Sequence, residues 1–100
     1  MAPGPPPPPP ARMVAGFVLD SQKLSTPQPH LPDYVMSQNA GRKLVGTYKY
    51  CVNKDGRVYE VTTVGSINGA DSMIRDVIRS WTFKPQAGNV CATKVLSFQL

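Results

Sequence analysis

The sequence predicts a small α+β domain of two layers, in which two helices cover one face of a three-stranded antiparallel sheet. Residues 43–64 alternate apolar and polar side chains around an Asp55-Gly56 turn, which is typical of a β-hairpin. Residues 71–81 instead place apolar side chains at helical spacing, and a last apolar segment follows Pro85. A right-handed crossover from the second strand to the third then gives the sheet order second, first, third.

Composition divides the chain into three parts. Residues 3–10 contain seven prolines and one glycine, which favour an extended polyproline II spacer. We therefore predict a proline-rich linker over residues 1–12 and a folded domain over residues 30–100. Residues 13–29 are predicted to be extended or loop, and the apolar segment 13–19 could add a strand. A proline-recognition domain could also bind the polyproline as a ligand.

The net charge of +5 comes from basic residues that are scattered along the chain. They do not cluster with stacking aromatic side chains, so nucleic-acid binding is not expected. No segment reaches the roughly 18 to 20 apolar residues of a membrane span. The first ten residues have neither the basic nor the apolar region of a signal peptide. An exporting or anchoring segment would therefore lie on sequence outside this chain.

The folded part should begin with a short helix over Leu31–Gly41, because proline suits a first turn and glycine suits a helix end. A strand over Lys43–Val52 follows and turns into a return strand over Arg57–Val64. Bulky aromatic side chains on alternate residues of the first strand identify its core face.

The helix over residues 71–81 carries an apolar stripe that needs a sheet to cover. It should end before Pro85, because the residue before a proline is pushed towards extended geometry. A last strand is expected from about Val90 to Leu100. The predicted structural core consists of Tyr48, Tyr50, Val77, Trp81, Phe83 and Phe98.

The two cysteines, Cys51 and Cys91, are too far apart in sequence for a CxxC redox or zinc motif. The predicted topology places them on neighbouring antiparallel strands and on the face away from the core. A cross-strand disulfide fits this placement and implies an oxidising compartment. Two reduced cysteines are the alternative.

The sequence contains no nucleophile elbow, phosphate-binding loop or pair of carboxylates at helical spacing. His30 lies between prolines and has no evident serine or cysteine partner. We expect neither an enzyme nor a metal site nor a bound cofactor.

Several of these motifs together resemble the C-terminal domain of the TonB energy-transducer family. They are Leu31-Pro32, the segment from Gly46 through the hairpin to Val58, the helix ending in Trp81-Thr82-Phe83-Lys84-Pro85, and an apolar strand at the chain end. The paired cysteines look similar to those of myxobacterial TonB-like proteins. The opening dipeptide is Leu-Pro where the best-known members have Tyr-Pro.

The resemblance implies a periplasmic domain that binds an outer-membrane receptor by adding an extended receptor segment to the edge of the sheet. It would connect the receptor to inner-membrane proton-channel proteins, through a membrane anchor outside this chain. The last strand is the expected free edge, and Lys94 there would favour an acidic partner. The expected binding residues are Ala92, Thr93, Lys94, Val95, Leu96 and Ser97 of this strand, with Leu31 and Pro32 at the domain opening.

Two other functions remain open at this point. The same domain could serve as a structural or gliding-motility module, and its exposed strand could pair two copies into a homodimer. A cytoplasmic adaptor that acts through its polyproline segment would keep both cysteines reduced.

Overall fold

The computed structural model describes residues 11–100, so most of the predicted proline-rich linker lies outside the described residues. Nine elements follow one another in this part of the chain. They are β1 (Arg12–Met13), α1 (Gly16–Asp20), β2 (Lys23–Ser25), α2 (Asp33–Gln38), β3 (Lys43–Val52), β4 (Val58–Gly65), α3 (Asp71–Arg79), β5 (Thr82–Phe83) and β6 (Val90–Gln99). No helix of the described residues is long and apolar enough to cross a membrane.

The main sheet has four strands in the order β1-β6-β3-β4, and a second sheet pairs β2 with β5. β3 runs antiparallel to both of its neighbours, whereas β1 runs parallel to β6. β3 and β6 pair without interruption over their full length, from Lys43 opposite Gln99 to Val52 opposite Val90. β3 is therefore the central strand, and it fixes the position of β6.

The predicted fold class is wrong in its number of elements and in strand direction. Over residues 11–100 the main sheet is mixed and four-stranded, a second sheet exists, and there are three helices instead of two. The three long strands do lie in the predicted order. The additional elements β1, α1, β2 and β5 have between two and five residues each. Such segments are too short to show a sequence period, and tertiary contacts hold them in place.

The core lies between the helices and one face of the main sheet. Tyr48 and Tyr50 of β3 are almost fully buried there, together with Ile74 and Ile78 of α3. Trp81 and Phe83 follow α3 and enclose the Tyr50 ring, with centroid distances of 5.6 Å and 5.8 Å. The alternating pattern of β3 and the helical stripe of α3 are thus the two halves of one core.

Gly56 joins the β3–β4 hairpin to β5. Its φ of 84° favours glycine, and a Cβ atom there would clash with the carbonyl oxygen of Phe83. The Phe83 amide donates to the Gly56 carbonyl at 2.8 Å, and Asn53 Oδ1 accepts from the amides of Asp55 and Arg57. The turn is therefore fixed both by its own residues and by the strand that follows α3.

Candidate functional site

The outer edge of β6 is the sheet edge on which a partner strand could be added. On its inner side β6 is fully paired with β3. On its outer side, among the described residues, only β1 pairs with it, and that register covers Arg12 opposite Val90 and Met13 opposite Cys91. We call Val90–Thr93 the closed half of this edge and Lys94–Gln99 the open half.

The disulfide identifies which backbone groups of β6 point outwards. Cys51 and Cys91 are direct partners across β3 and β6, with a Cα–Cα distance of 4.0 Å and an S–S bond of 2.05 Å. So short a Cα distance is typical of two opposite residues that exchange no backbone hydrogen bonds with each other. The Cys91 carbonyl instead accepts from the Val14 amide at 2.9 Å, on the outer side.

Because outward and inward residues alternate along an antiparallel strand, Thr93, Val95, Ser97 and Gln99 also direct their N–H and C=O groups outwards. No strand of the part of the chain that the structure describes pairs with β6 beyond Cys91 on this side. The open half therefore presents a row of backbone donors and acceptors that another chain could use.

The closed half is covered by residues 11–20, which we call the N-terminal arm. The Arg12 amide donates to the Asn89 carbonyl at 3.0 Å, and the register places the Cys91 amide against the Arg12 carbonyl. A Cβ atom on Gly16 would lie 3.3 Å from the Thr93 carbonyl oxygen, so the arm passes close to the strand at this point. The arm then continues as α1, whose last residue, Asp20, pairs with Lys94 of β6.

The side chains predicted to bind a partner fall into three environments. Ala92 and Leu96 belong to the buried core, whereas Thr93, Val95 and Ser97 are exposed on the sheet face away from the helices. Lys94 is half-buried and lies on the core side of the strand. Thr93, Val95 and Ser97 are therefore the exposed side chains of the predicted segment.

Leu31 and Pro32 do not form part of this edge. Leu31 is buried in the core. Pro32 precedes α2 and lines an open groove between α2 and α3, together with Tyr34 and Met73. The groove that Pro32 lines contains no residue of β6.

Of the six side chains predicted for the core, Tyr48, Tyr50, Trp81 and Phe83 are buried. Phe98 is half-buried and packs against the core cluster. Val77 is also half-buried and lines the groove between α2 and α3.

Lys94 is held beside the arm. Its Nζ atom lies 3.7 Å from Asp20 Oδ1, and both side chains line a cleft of about 140 Å³ with Trp81 and Leu96. Burial, with a smaller contribution from the Asp20 carboxylate, raises the pKa of Tyr50 to about 12. Sequence reasoning missed Asp20, because an acidic residue at the end of so short a helix carries no sign of the cation that it meets.

A second polar cluster, around Asp71, lies on the core side of the sheet. It contacts Tyr48, which pairs with Lys94 at the start of the open half. The Tyr48 hydroxyl donates to Asp71 Oδ1 at 2.6 Å, the Ile67 amide donates to the same oxygen at 2.9 Å, and the Ser66 hydroxyl donates to Asp71 Oδ2. Burial favours the protonated carboxyl. The three hydrogen bonds and the nearby Arg75 outweigh it and lower the pKa of Asp71. Burial, followed by the bond to Asp71, raises the pKa of Tyr48.

The described residues bring together no group of three His, Cys, Asp or Glu side chains that could hold a metal ion. Both cysteines are joined in the disulfide, so the structure contains the cross-strand bridge that the topology predicted. The chemistry that the β6 edge can perform is backbone hydrogen bonding, assisted by charge.

No protein-family model matches the chain, and no curated protein sequence matches it. Among solved structures it is similar to the solution NMR structure of the Pseudomonas aeruginosa TonB CTD, with a TM-score of 0.63 and 21% sequence identity. The match covers 79% of this chain and 85% of that chain. The chain thus has a fold like that of a TonB C-terminal domain.

Proposed function

We propose that this chain is a periplasmic TonB-type binding domain that takes an extended segment of an outer-membrane receptor as an added strand. The open half of β6 carries this proposal, because its outward N–H and C=O groups have no strand partner in the described residues. Strand addition obtains its affinity from such main-chain groups and its specificity from the side chains beside them.

Charge around the edge favours an acidic partner segment. Lys43 and Lys49 lie on β3 directly opposite Gln99 and Thr93 of β6. Lys94 already binds a carboxylate, that of Asp20. These exposed or half-buried charges would speed the encounter with an acidic segment more than they would tighten the complex.

The apolar contacts of a partner would be made on the sheet face away from the helices. Val95 of the open half is 57% exposed there, and Val45 of β3 is 48% exposed. The two side chains lie on adjacent, diagonal positions, since Val95 pairs with Thr47 and Ser97 with Val45. An apolar side chain on an added strand could cover Val95.

In this proposal the domain transmits force and performs no catalysis of its own. The receptor segment would be attached through β6. The other end of the connection would run through the proline-rich residues towards the inner membrane and its proton-channel proteins. The disulfide between β3 and β6 suits an oxidising periplasm, and it ties the loaded strand to the centre of the sheet.

The proposal is tested by titrating the chain with synthetic peptides copied from the extended N-terminal segments of outer-membrane receptors. Ser97→Pro removes an outward N–H group and leaves the β3 ladder intact, because proline is tolerated where its nitrogen faces away from the neighbouring strand. We expect this variant to bind at least about tenfold more weakly, since a lost bond and a steric block act together. Ser97→Ala keeps the amide and should bind like the parent chain.

Amide exchange in the same titration reports where a peptide lies. A bound peptide should slow exchange of the Val95 and Ser97 amides. Failure of every receptor peptide to do so would contradict the proposal. If these amides instead exchange more slowly as the chain is concentrated without peptide, the open half pairs two copies of the chain. That result would also contradict the proposal.

A further inference from the structure

The N-terminal arm occupies the closed half of the row of edge groups whose open half the proposed partner would use. Arg12 and Val14 donate their amides to the carbonyls of Asn89 and Cys91, as an added strand would do. The edge of β6 is therefore already half filled by a strand from its own chain, and this strand runs parallel to it.

The two ends of the arm are held very differently. At its far end Leu19 is fully buried in the core, and Asp20 pairs with Lys94. At its near end both residues of β1, Arg12 and Met13, have exposed side chains. Backbone hydrogen bonds and the half-buried Val14 are what keep β1 on the edge. β1 can thus leave the edge while α1 stays anchored by Leu19.

We propose that β1 is an exchangeable strand, which fills the closed half of the β6 edge and is displaced by a partner strand that spans both halves. This inference rests on the proposed function, because the partner is the receptor segment assigned there. The arm restricts the partner to the open half until β1 is released, so it sets how much of the edge a partner can pair with.

The close approach at Gly16 lies where the arm stops pairing with β6. A side chain at this position would press against the Thr93 carbonyl. With glycine, the chain can pass into α1 directly beside the strand, and α1 remains near β6 through the pair of Asp20 with Lys94. Residue 16 therefore lies at the boundary between the closed and open halves.

The experiment uses the whole chain and an acetylated, amidated peptide with the sequence of residues 11–20 as the probe. Arg12→Pro removes the amide that binds Asn89, and Arg12→Ala is the matched control that loses the same exposed side chain but keeps the amide. The chemical shift of the Cys91 amide, on the closed half, reports binding. The Ser97 and Tyr50 amides, away from β1, report whether each variant is folded.

We expect the peptide to bind Arg12→Pro about fivefold more tightly than Arg12→Ala. In Arg12→Pro, β1 competes for the same edge with one hydrogen bond fewer. The Cys91 amide should also exchange about fivefold faster in Arg12→Pro without peptide. Equal affinity for the two variants, or no binding to either, would overturn the inference. The receptor peptides act on the Ser97 amide, so the proposed function and this inference can fail separately.

Discussion

The two halves of the main sheet are stabilised in different ways. Around the closed half of β6 the sheet holds a disulfide, the buried aromatic rings that surround Tyr50, and the N-terminal arm. Below the open half it relies on a polar cluster in which Asp71 accepts hydrogen bonds from Tyr48, Ser66 and Ile67. Both halves contribute apolar side chains to the core, Ala92 from the closed half and Leu96 from the open half. The disulfide thus accompanies the half that is covered, and the polar cluster accompanies the half that a partner could use.

The largest effect is expected from removing the disulfide. Cys51→Ala combined with Cys91→Ala opens a link between residues 40 positions apart in sequence. The chain-entropy model then predicts that the free energy of unfolding falls by about 4 kcal/mol. Urea denaturation measures this change, and the parent chain treated with a reductant provides the matched control. A fall of less than about 1 kcal/mol would show that the closed half does not depend on its covalent link.

The second largest effect is expected from removing Asp71, the centre of the polar cluster next to the open half. Asp71→Ala leaves the buried Tyr48 hydroxyl without its acceptor and frees the Ile67 amide. We expect a loss of about 2 kcal/mol in the free energy of unfolding. Asp71→Asn keeps an acceptor oxygen and should lose less. If both variants unfold at the urea concentration of the parent chain, the polar cluster does not support this half.

The same cluster predicts a dependence on pH. The folded-state pKa of Asp71 is lowered. Its contribution to stability is therefore present above the unfolded pKa of about 3.9 and is lost as the pH falls through the folded pKa. The urea midpoints of the parent chain and Asp71→Asn should differ at neutral pH and converge at acidic pH. A difference that grows on acidification would contradict the assigned shift.

The smallest effect is expected for the ion pair at the boundary between the halves. Lys94 and Asp20 are both partly exposed, at 36% and 46% of their side-chain surface. Lys94→Ala should therefore change the free energy of unfolding by less than about 1 kcal/mol. Lys94→Ala should also slow the association of acidic peptides, and this slowing should become smaller as salt is added. Stopped-flow fluorescence of labelled peptides measures that rate, with Lys54→Ala, on the hairpin turn, as the control.

The long elements could be predicted from the sequence, because burial gives each of them a periodic pattern of apolar side chains. The alternation of β3 around Tyr48 and Tyr50 and the helical stripe of α3 can be recognised without coordinates. The order of these elements along the chain then predicted which strands lie beside β3 and that Cys51 is close to Cys91. These are regular segments of eight residues or more, in which many side chains specify one geometry.

The N-terminal arm could not be predicted in the same way. β1 and α1 are held by a few hydrogen bonds to β6 and by one buried side chain, Leu19, and none of these leaves a period in the sequence. The resemblance suggested the free edge but not its occupant. The functional distinction between closed and open halves therefore depends on contacts between residues almost eighty positions apart.

Native-state hydrogen exchange at two amides of β6 tests the central claim most directly. The Cys91 amide faces the arm, and the Ser97 amide points outwards with no strand beside it. After correction for intrinsic rates, the Cys91 amide should exchange at least about a hundredfold more slowly than the Ser97 amide. Similar rates at the two positions would contradict the division of the edge into a closed and an open half.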